Sequence, residues 1–144
     1  MLLLDTCAVS EVMHENRDPG FQEWLSATGH DALAIPTVAI TELLYGIRRL
    51  PEGKRKSRLM QQLTGYIDSF RIIGFCRGAS EHASIIMARL HGAGDNIKFP
   101  DAAIAGIALQ NGAVLVTRDA HFTGIAGHRG CEDFQWMNPW NHMP

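Results

Sequence analysis

The sequence predicts an α/β fold, with a central, mainly parallel sheet of four to five strands flanked by layers of helices. Two observations carry that expectation. Short, wholly apolar runs such as Leu2-Leu3-Leu4 and Val114-Leu115-Val116 have the make-up of buried strands. Helical stretches separate them, and that alternation packs parallel strands between helix layers. The 144 residues suit one compact domain, and no linker, repeat or low-complexity segment divides them, so a single domain over 1–144 is expected.

Taken in order, Leu2 to Leu4 is the first strand and stops at a polar loop. Ala8 to His14 read as helix. Asn16 to Gly20 break the pattern, and Phe21, Trp24 and Leu25 mark the face of a second helix. Ala32 to Ile35 form the second strand, closed by Pro36. Thr37 is an N-cap candidate for a helix over Val38 to Leu50, whose apolar residues at 40, 43, 44 and 47 share one face. Pro51 ends that helix. Glu52 to about Asp68 form the next, with Leu59, Leu63 and Ile67 at four-residue spacing. Phe70 to Phe75 read as the third strand. Ser80, as a cap, opens a helix to about Gly92 with Ile85, Ile86 and Leu90 inward. After a loop at Gly92 to Asn96, Pro100 suits a first helical position, where its missing N–H costs nothing. The helix to Gln110 is almost wholly apolar and therefore buried, and Asn111-Gly112 closes it. Val114 to Val116 are the fourth strand and Phe134 to Met137 a fifth at the edge.

Composition removes several function classes. Hydrophobic residues at 46% and charged ones at 19% are a globular balance, not a disordered one. No apolar stretch approaches the ~20 residues needed to span a bilayer, and Met1 to Leu4 run into Asp5, unlike a signal-peptide core. Cys7, Cys76 and Cys131 are an odd set at wide spacings without C-x-x-C, which argues against a disulfide framework and a structural zinc site. The expected compartment is a reducing cytoplasm. A net charge of −2 does not advertise nucleic-acid binding overall. Locally, Arg48, Arg49, Lys54, Arg55, Lys56 and Arg58 gather six of the thirteen basic residues in eleven positions. They read either as a solvated elbow between helices or as a phosphate-binding patch.

Ligands of open α/β sheets bind outside the carboxyl ends of the strands. Asp5 follows strand one, Glu42 lies in the opening turns of the helix after strand two, and Asp119 follows strand four. Asp101 stands in the first turn of the buried helix that precedes strand four. Each has a plain structural explanation: a strand end, a solvated helix position, a helix N-terminus complemented by an acid, and a turn cap. Jointly they place four carboxylates at one end of one sheet. Two like charges about 4 Å apart repel by roughly 4 kcal/mol at an effective dielectric near 20, so such a cluster takes up protons or cations. Carboxylate oxygens without Cys or H-x-x-x-H spacing favour Mg²⁺ or Mn²⁺ over zinc. These ions acidify bound water and offset charge on a phosphoryl group, so the natural substrate is a phosphodiester.

Leu3-Leu4-Asp5-Thr6-Cys7, Thr41-Glu42-Leu43-Leu44-Tyr45-Gly46, Pro100-Asp101-Ala102-Ala103-Ile104-Ala105, Val116-Thr117-Arg118-Asp119 with Phe122, and Asn138-Pro139-Trp140 resemble the motifs of PIN-domain ribonucleases. Their order and spacing are most similar to VapC and FitB toxins of bacterial type II toxin–antitoxin systems. The resemblance implies a three-layer PIN-like fold and a Mg²⁺- or Mn²⁺-dependent endoribonuclease. It also implies a homodimer, and a VapB-like antitoxin that inserts a segment into the active-site groove. It assigns the metal-binding acids to Asp5, Glu42, Asp101 and Asp119, and gives Thr6 and Thr117 to hydroxyls that orient an acid or a water. Cys7 stands where the family often has Asn or Ser. Under this reading Lys54, Arg55, Lys56 and Arg58 meet RNA phosphates or antitoxin acids. A haloacid-dehalogenase-type phosphatase would need an Asp two residues after Asp5, where this chain has Cys7. The other alternative is a PIN-like module that binds RNA or protein without cutting.

Overall fold

The computed structural model describes residues 1–141. Five strands, β1 (Leu2–Leu4), β2 (Leu33–Pro36), β3 (Arg71–Ile73), β4 (Val114–Val116) and β5 (Gln135–Met137), form one sheet in the order β3-β2-β1-β4-β5. Every neighbouring pair is parallel, so the sheet is wholly rather than mainly parallel. On β1, Leu2 pairs with Leu33 on one side and with Val114 on the other. Leu3 and Leu4 are completely buried at the centre, as an all-apolar strand demands. Among the described residues six α-helices flank the sheet in three layers: α1 (Thr6–Met13), α2 (Pro19–Ala27), α3 (Thr37–Arg48), α4 (Lys54–Ser69), α5 (Arg77–Gly92) and α6 (Phe99–Gln110).

The winding positions the site. From β1 the chain runs outward through β2 and β3, then returns past β1 to add β4 and β5 on its other side. Between β1 and β4 the direction reverses. A crevice opens at such a switch point, outside the carboxyl ends of the strands. Asp5 and Thr117 are the residues that leave those two strand ends.

Several boundaries differ from the sequence expectation, each for a local reason. Helix α1 begins at Thr6 and not Ala8, because the Asp5 carboxylate accepts from the Ala8 N–H at 2.7 Å and caps it. Helix α3 starts at Thr37 itself. Pro36 holds the N-cap position without a side-chain bond, since strand β2 runs directly into the helix. Helix α4 starts at Lys54, leaving Glu52 in the elbow. Helix α5 starts at Arg77, with Cys76 rather than Ser80 at its N-cap. The Ser80 hydroxyl donates instead to the Cys76 carbonyl at 3.0 Å, a bond of the first turn. In α6 Phe99 takes the first position and Pro100 the second, still within the turn where proline costs no bond. Gly112 follows with φ +56°, a left-handed turn that suits glycine.

Helix α6 is buried from Ala102 to Ala108, and its small residues let α5 approach closely. A Cβ at Gly106 would stand 2.4 Å from the Ala79 carbonyl oxygen and 3.0 Å from the Ala83 nitrogen. Both atoms are backbone, so the helices must separate to admit it. Gly106→Ala is expected to lower stability by about 1–3 kcal/mol despite alanine's better helix propensity. A thermal melt that matches or exceeds the wild type would show that the α5–α6 contact is looser than this.

Candidate active site

The crevice holds a cavity of about 360 Å³ lined by all four acids singled out by sequence: Asp5, Glu42, Asp101 and Asp119. Each arrives on a different element. Asp5 is the N-cap of α1, Glu42 lies in the second turn of α3, Asp101 is in the first turn of α6, and Asp119 follows β4. The adjacency of β2, β1 and β4 is what brings these segments together.

Neighbouring donors fix them. Asp5 is 3% exposed and accepts from the Cys7 thiol at 2.9 Å as well as from Ala8 N–H. Cys7 therefore supplies a donor where the family often has Asn or Ser. The Thr6 hydroxyl donates to the Glu42 carboxylate across the groove. Thr117, fully buried, accepts from the Asp119 N–H at 2.9 Å, which shapes the turn that presents Asp119. The Asp119 carboxylate caps the next turn through His121 N–H at 2.9 Å and meets the imidazole Nδ1 at 2.7 Å. The sequence alternatives for Asp5 and Asp119, strand end and turn cap, are thus realised alongside cavity placement.

The electrostatics follow from that crowding. Burial raises the Asp5 pKa, opposed by donors from Cys7, Thr117 and Ala8 and reinforced by the Asp119 charge. Burial also raises that of Asp101, with the charges of Asp119 and Glu42 adding and those of His121 and Lys98 opposing. The Cys7 thiol is pushed up to about 12, by burial first and by Asp5 second, so it stays a neutral donor. Burial, with like charge added to it, thus makes Asp5 and Asp101 hold protons more tightly than free carboxyls.

The PIN domain family matches residues 2–127 of this chain. The chain belongs to that family. This PIN domain is 30% identical to the plasmid stability protein StbB of Pseudomonas syringae pv. tomato, over 97% of the chain and 99% of that protein. It is 28% identical to the VapC ribonuclease Y4jK of Sinorhizobium fredii, over 97% and 98%. In three dimensions it is similar to the crystal structure of FitAcB from Neisseria gonorrhoeae, with a TM-score of 0.82 at 26% identity, covering 99% of this chain and 100% of that one.

A hard divalent cation suits the donor set, which is all carboxylate oxygen with excess negative charge. As placed, the acids surround the cavity rather than close on a point: among the described residues no three His, Cys, Asp or Glu side chains form a ready chelate. An ion held there would need these side chains to move inward. The basic segment divides. Arg55 and Arg58 line a second cavity, of about 500 Å³, that shares His14 and Glu42 with the first, and Arg58 pairs with Glu15 at 2.9 Å. Lys56 turns back onto the Arg48 carbonyl at 3.1 Å and onto Glu52, as an elbow residue does, and Lys54 opens α4.

Glu11 and Arg118 line this PIN-domain cavity and His121 bonds Asp119 beside it, yet none of them was assigned a site role from the sequence. Glu11 is only 5% exposed, and its Oε1 accepts from the Asp18 N–H at 2.7 Å. Its spacing of three from Ala8 places it beside the buried face of α1, a readable signal. Arg118 and His121 flank Asp119, and nothing in their local sequence separates a cavity residue from a solvated one. No helix among the described residues is long and apolar enough to cross a membrane.

Proposed function

We propose that this PIN domain is a Mg²⁺- or Mn²⁺-dependent endoribonuclease and the toxin of a VapBC-type toxin–antitoxin system. The observation that carries the reading is the convergence on one cavity of four acids from distant segments, two of them with raised proton affinity. The relative named as a VapC ribonuclease, the one named for plasmid stability and the motif resemblance to VapC and FitB toxins all support it. Asp5, Glu42, Asp101 and Asp119 would hold the cation. Bound there, it would acidify a water and offset charge on the phosphoryl group. The chain's own residues keep the site in shape for this. Cys7 and the Ala8 N–H hold Asp5, Thr6 holds Glu42, and Thr117 sets the turn of Asp119.

The same reading carries a homodimer and a VapB-like antitoxin in the cytoplasm. The neighbouring cavity, lined by Met13, Leu43, Ile47 and Leu59 with Arg55 beside them and Arg58 paired to Glu15, suits an apolar segment that brings an acid to Arg55. Cleavage products test the chemistry. Purified protein should cut single-stranded RNA only with Mg²⁺ or Mn²⁺, stop in EDTA, work poorly with zinc and leave 5′-phosphates. A 2′,3′-cyclic phosphate product, or cutting undiminished in EDTA, would instead indicate attack by the ribose 2′-hydroxyl and sink the proposal.

A further inference from the structure

We propose that Arg118 seats a phosphate of the RNA strand at the rim of the acid cavity, as the substrate-positioning cation of this site. The proposal rests on the ribonuclease reading for the identity of its ligand, a single-stranded RNA. A polyanion approaching Asp5, Glu42, Asp101 and Asp119 meets like charge, so a fixed positive group beside them has a clear electrostatic use. Among the described residues Arg118 is the sole Lys or Arg lining that cavity, while Lys98 lines the adjoining one that shares Glu42, Asp101 and Asp119. The Arg118 side chain is 53% exposed, open to a ligand.

The guanidinium is held in place without its donors being used. Its carbon lies 5.1 Å from the centre of the Trp140 ring, and that ring packs at 4.5 Å against Phe21, which is fully buried. The platform is therefore anchored in the core, and a cation over an indole face is attracted to it. On another side Arg118 Nη1 faces Glu11 Oε2 at 3.9 Å, too long for a hydrogen bond. The other Glu11 oxygen is already committed to the Asp18 N–H. Glu11 thus attracts Arg118 by charge while leaving its N–H groups unbonded among the described residues. The backbone beneath is equally fixed, since Thr117 is fully buried and its N–H bonds the Met137 carbonyl at 3.0 Å. A planar fork of donors beside an acid cavity, held near an aromatic ring, matches two oxygens of one phosphate.

The rival role is purely structural, with Arg118 serving only as the counter-charge of buried Glu11. Binding without turnover separates the two. Fluorescently labelled single-stranded RNA is titrated in EDTA at several salt concentrations, against wild type, Arg118→Gln and Arg118→Lys. A lost phosphate contact should weaken binding about tenfold or more in Arg118→Gln. It should also reduce the log–log salt slope by about 0.7, the contribution of one single-strand phosphate. Arg118→Lys should keep the slope and recover only part of the affinity, because it retains charge without the fork. RNAs carrying one uncharged methylphosphonate at successive positions add a further readout. One position should weaken binding to wild type and cost nothing more in Arg118→Gln. An unchanged slope and methylphosphonate profile in Arg118→Gln overturn the proposal, and a lowered melting temperature with them assigns Arg118 to Glu11 alone. RNA held through Arg118 but never cleaved with any metal overturns the ribonuclease reading and leaves this one standing. Failure of the wild type to bind RNA even at low salt overturns this proposal, and cleavage with Mg²⁺ or Mn²⁺ then decides the ribonuclease reading by itself.

Discussion

Asp101→Asn is expected to abolish RNA cleavage and at the same time raise the melting temperature of the metal-free protein at neutral pH. The substitution keeps the size of the side chain in the first turn of α6 and removes one carboxylate from the cavity. Outer partners of metal ligands commonly contribute 10–100-fold, so loss of a direct ligand should cost at least about 100-fold in activity. The stability change has the opposite sign because the folded protein raises the Asp101 pKa above its ordinary 3.8, by burial and by the charges of Asp119 and Glu42. A carboxyl whose pKa is raised on folding binds protons more tightly in the native state. Its contribution is therefore most favourable below its unfolded pKa and declines as pH rises through the folded value. Asparagine carries no such cost at neutral pH, so the gain should shrink as pH falls towards 3.8 and vanish below it. Adding Mg²⁺ or Mn²⁺ should reverse the ranking, raising the melting temperature of the wild type more than that of the variant, since a cation bound only to the native state stabilises it. Melting curves with EDTA and with metal, beside a cleavage assay, read all of this. A variant that cleaves as fast as its parent would falsify the assignment of Asp101. One that melts lower in EDTA would show that its carboxylate is compensated in the fold.

Induced alone in a bacterial host, the wild-type chain should arrest growth, and the Asp5→Asn form at equal abundance should not. Asp5 does two things at once: it lines the acid cavity and it caps α1 through the Ala8 N–H. Asparagine is the informative replacement because it preserves the capping acceptor while removing the charge. Alanine removes both and adds about 1 kcal/mol of instability from the lost cap, which blurs the comparison. Growth curves with immunoblots for protein level, together with intact-RNA profiles after induction, give the result. Co-expression of the cognate VapB-like antitoxin should restore growth. Arrest that persists in Asp5→Asn, with no metal-dependent cleavage of any cellular RNA, would favour a binding module that acts without hydrolysis.

The order and type of the elements were legible in the sequence, because apolar runs, helical spacing and Gly or Pro stops are local signals. Leu2–Leu4, Val114–Val116 and the apolar stretch ending at Asn111-Gly112 fold as read. Asp5, Glu42 and Asp119 were legible too, since in a parallel α/β chain ligands gather beyond the strand ends, whereas Asp101 precedes β4 by a whole helix and joined them only through its motif. The tertiary structure alone decided the rest. A three-residue strand such as Leu2-Leu3-Leu4 carries no information about its neighbours, so the order β3-β2-β1-β4-β5, which sets Asp5 beside the end of β4, is fixed by packing of the whole chain. Caps depended on atoms rather than residue types: Asp5 bonded Ala8 N–H and lengthened α1, while Thr37 and Ser80 passed their expected cap positions to Pro36 and Cys76. The environment of a charge is equally non-local. Buried Glu11 is satisfied by the Asp18 N–H, and Arg118 is held at the cavity because Trp140 and Glu11, far apart in sequence, meet around it. Patterns along the chain specify which groups can act, and only long-range contacts specify which of them share a cavity.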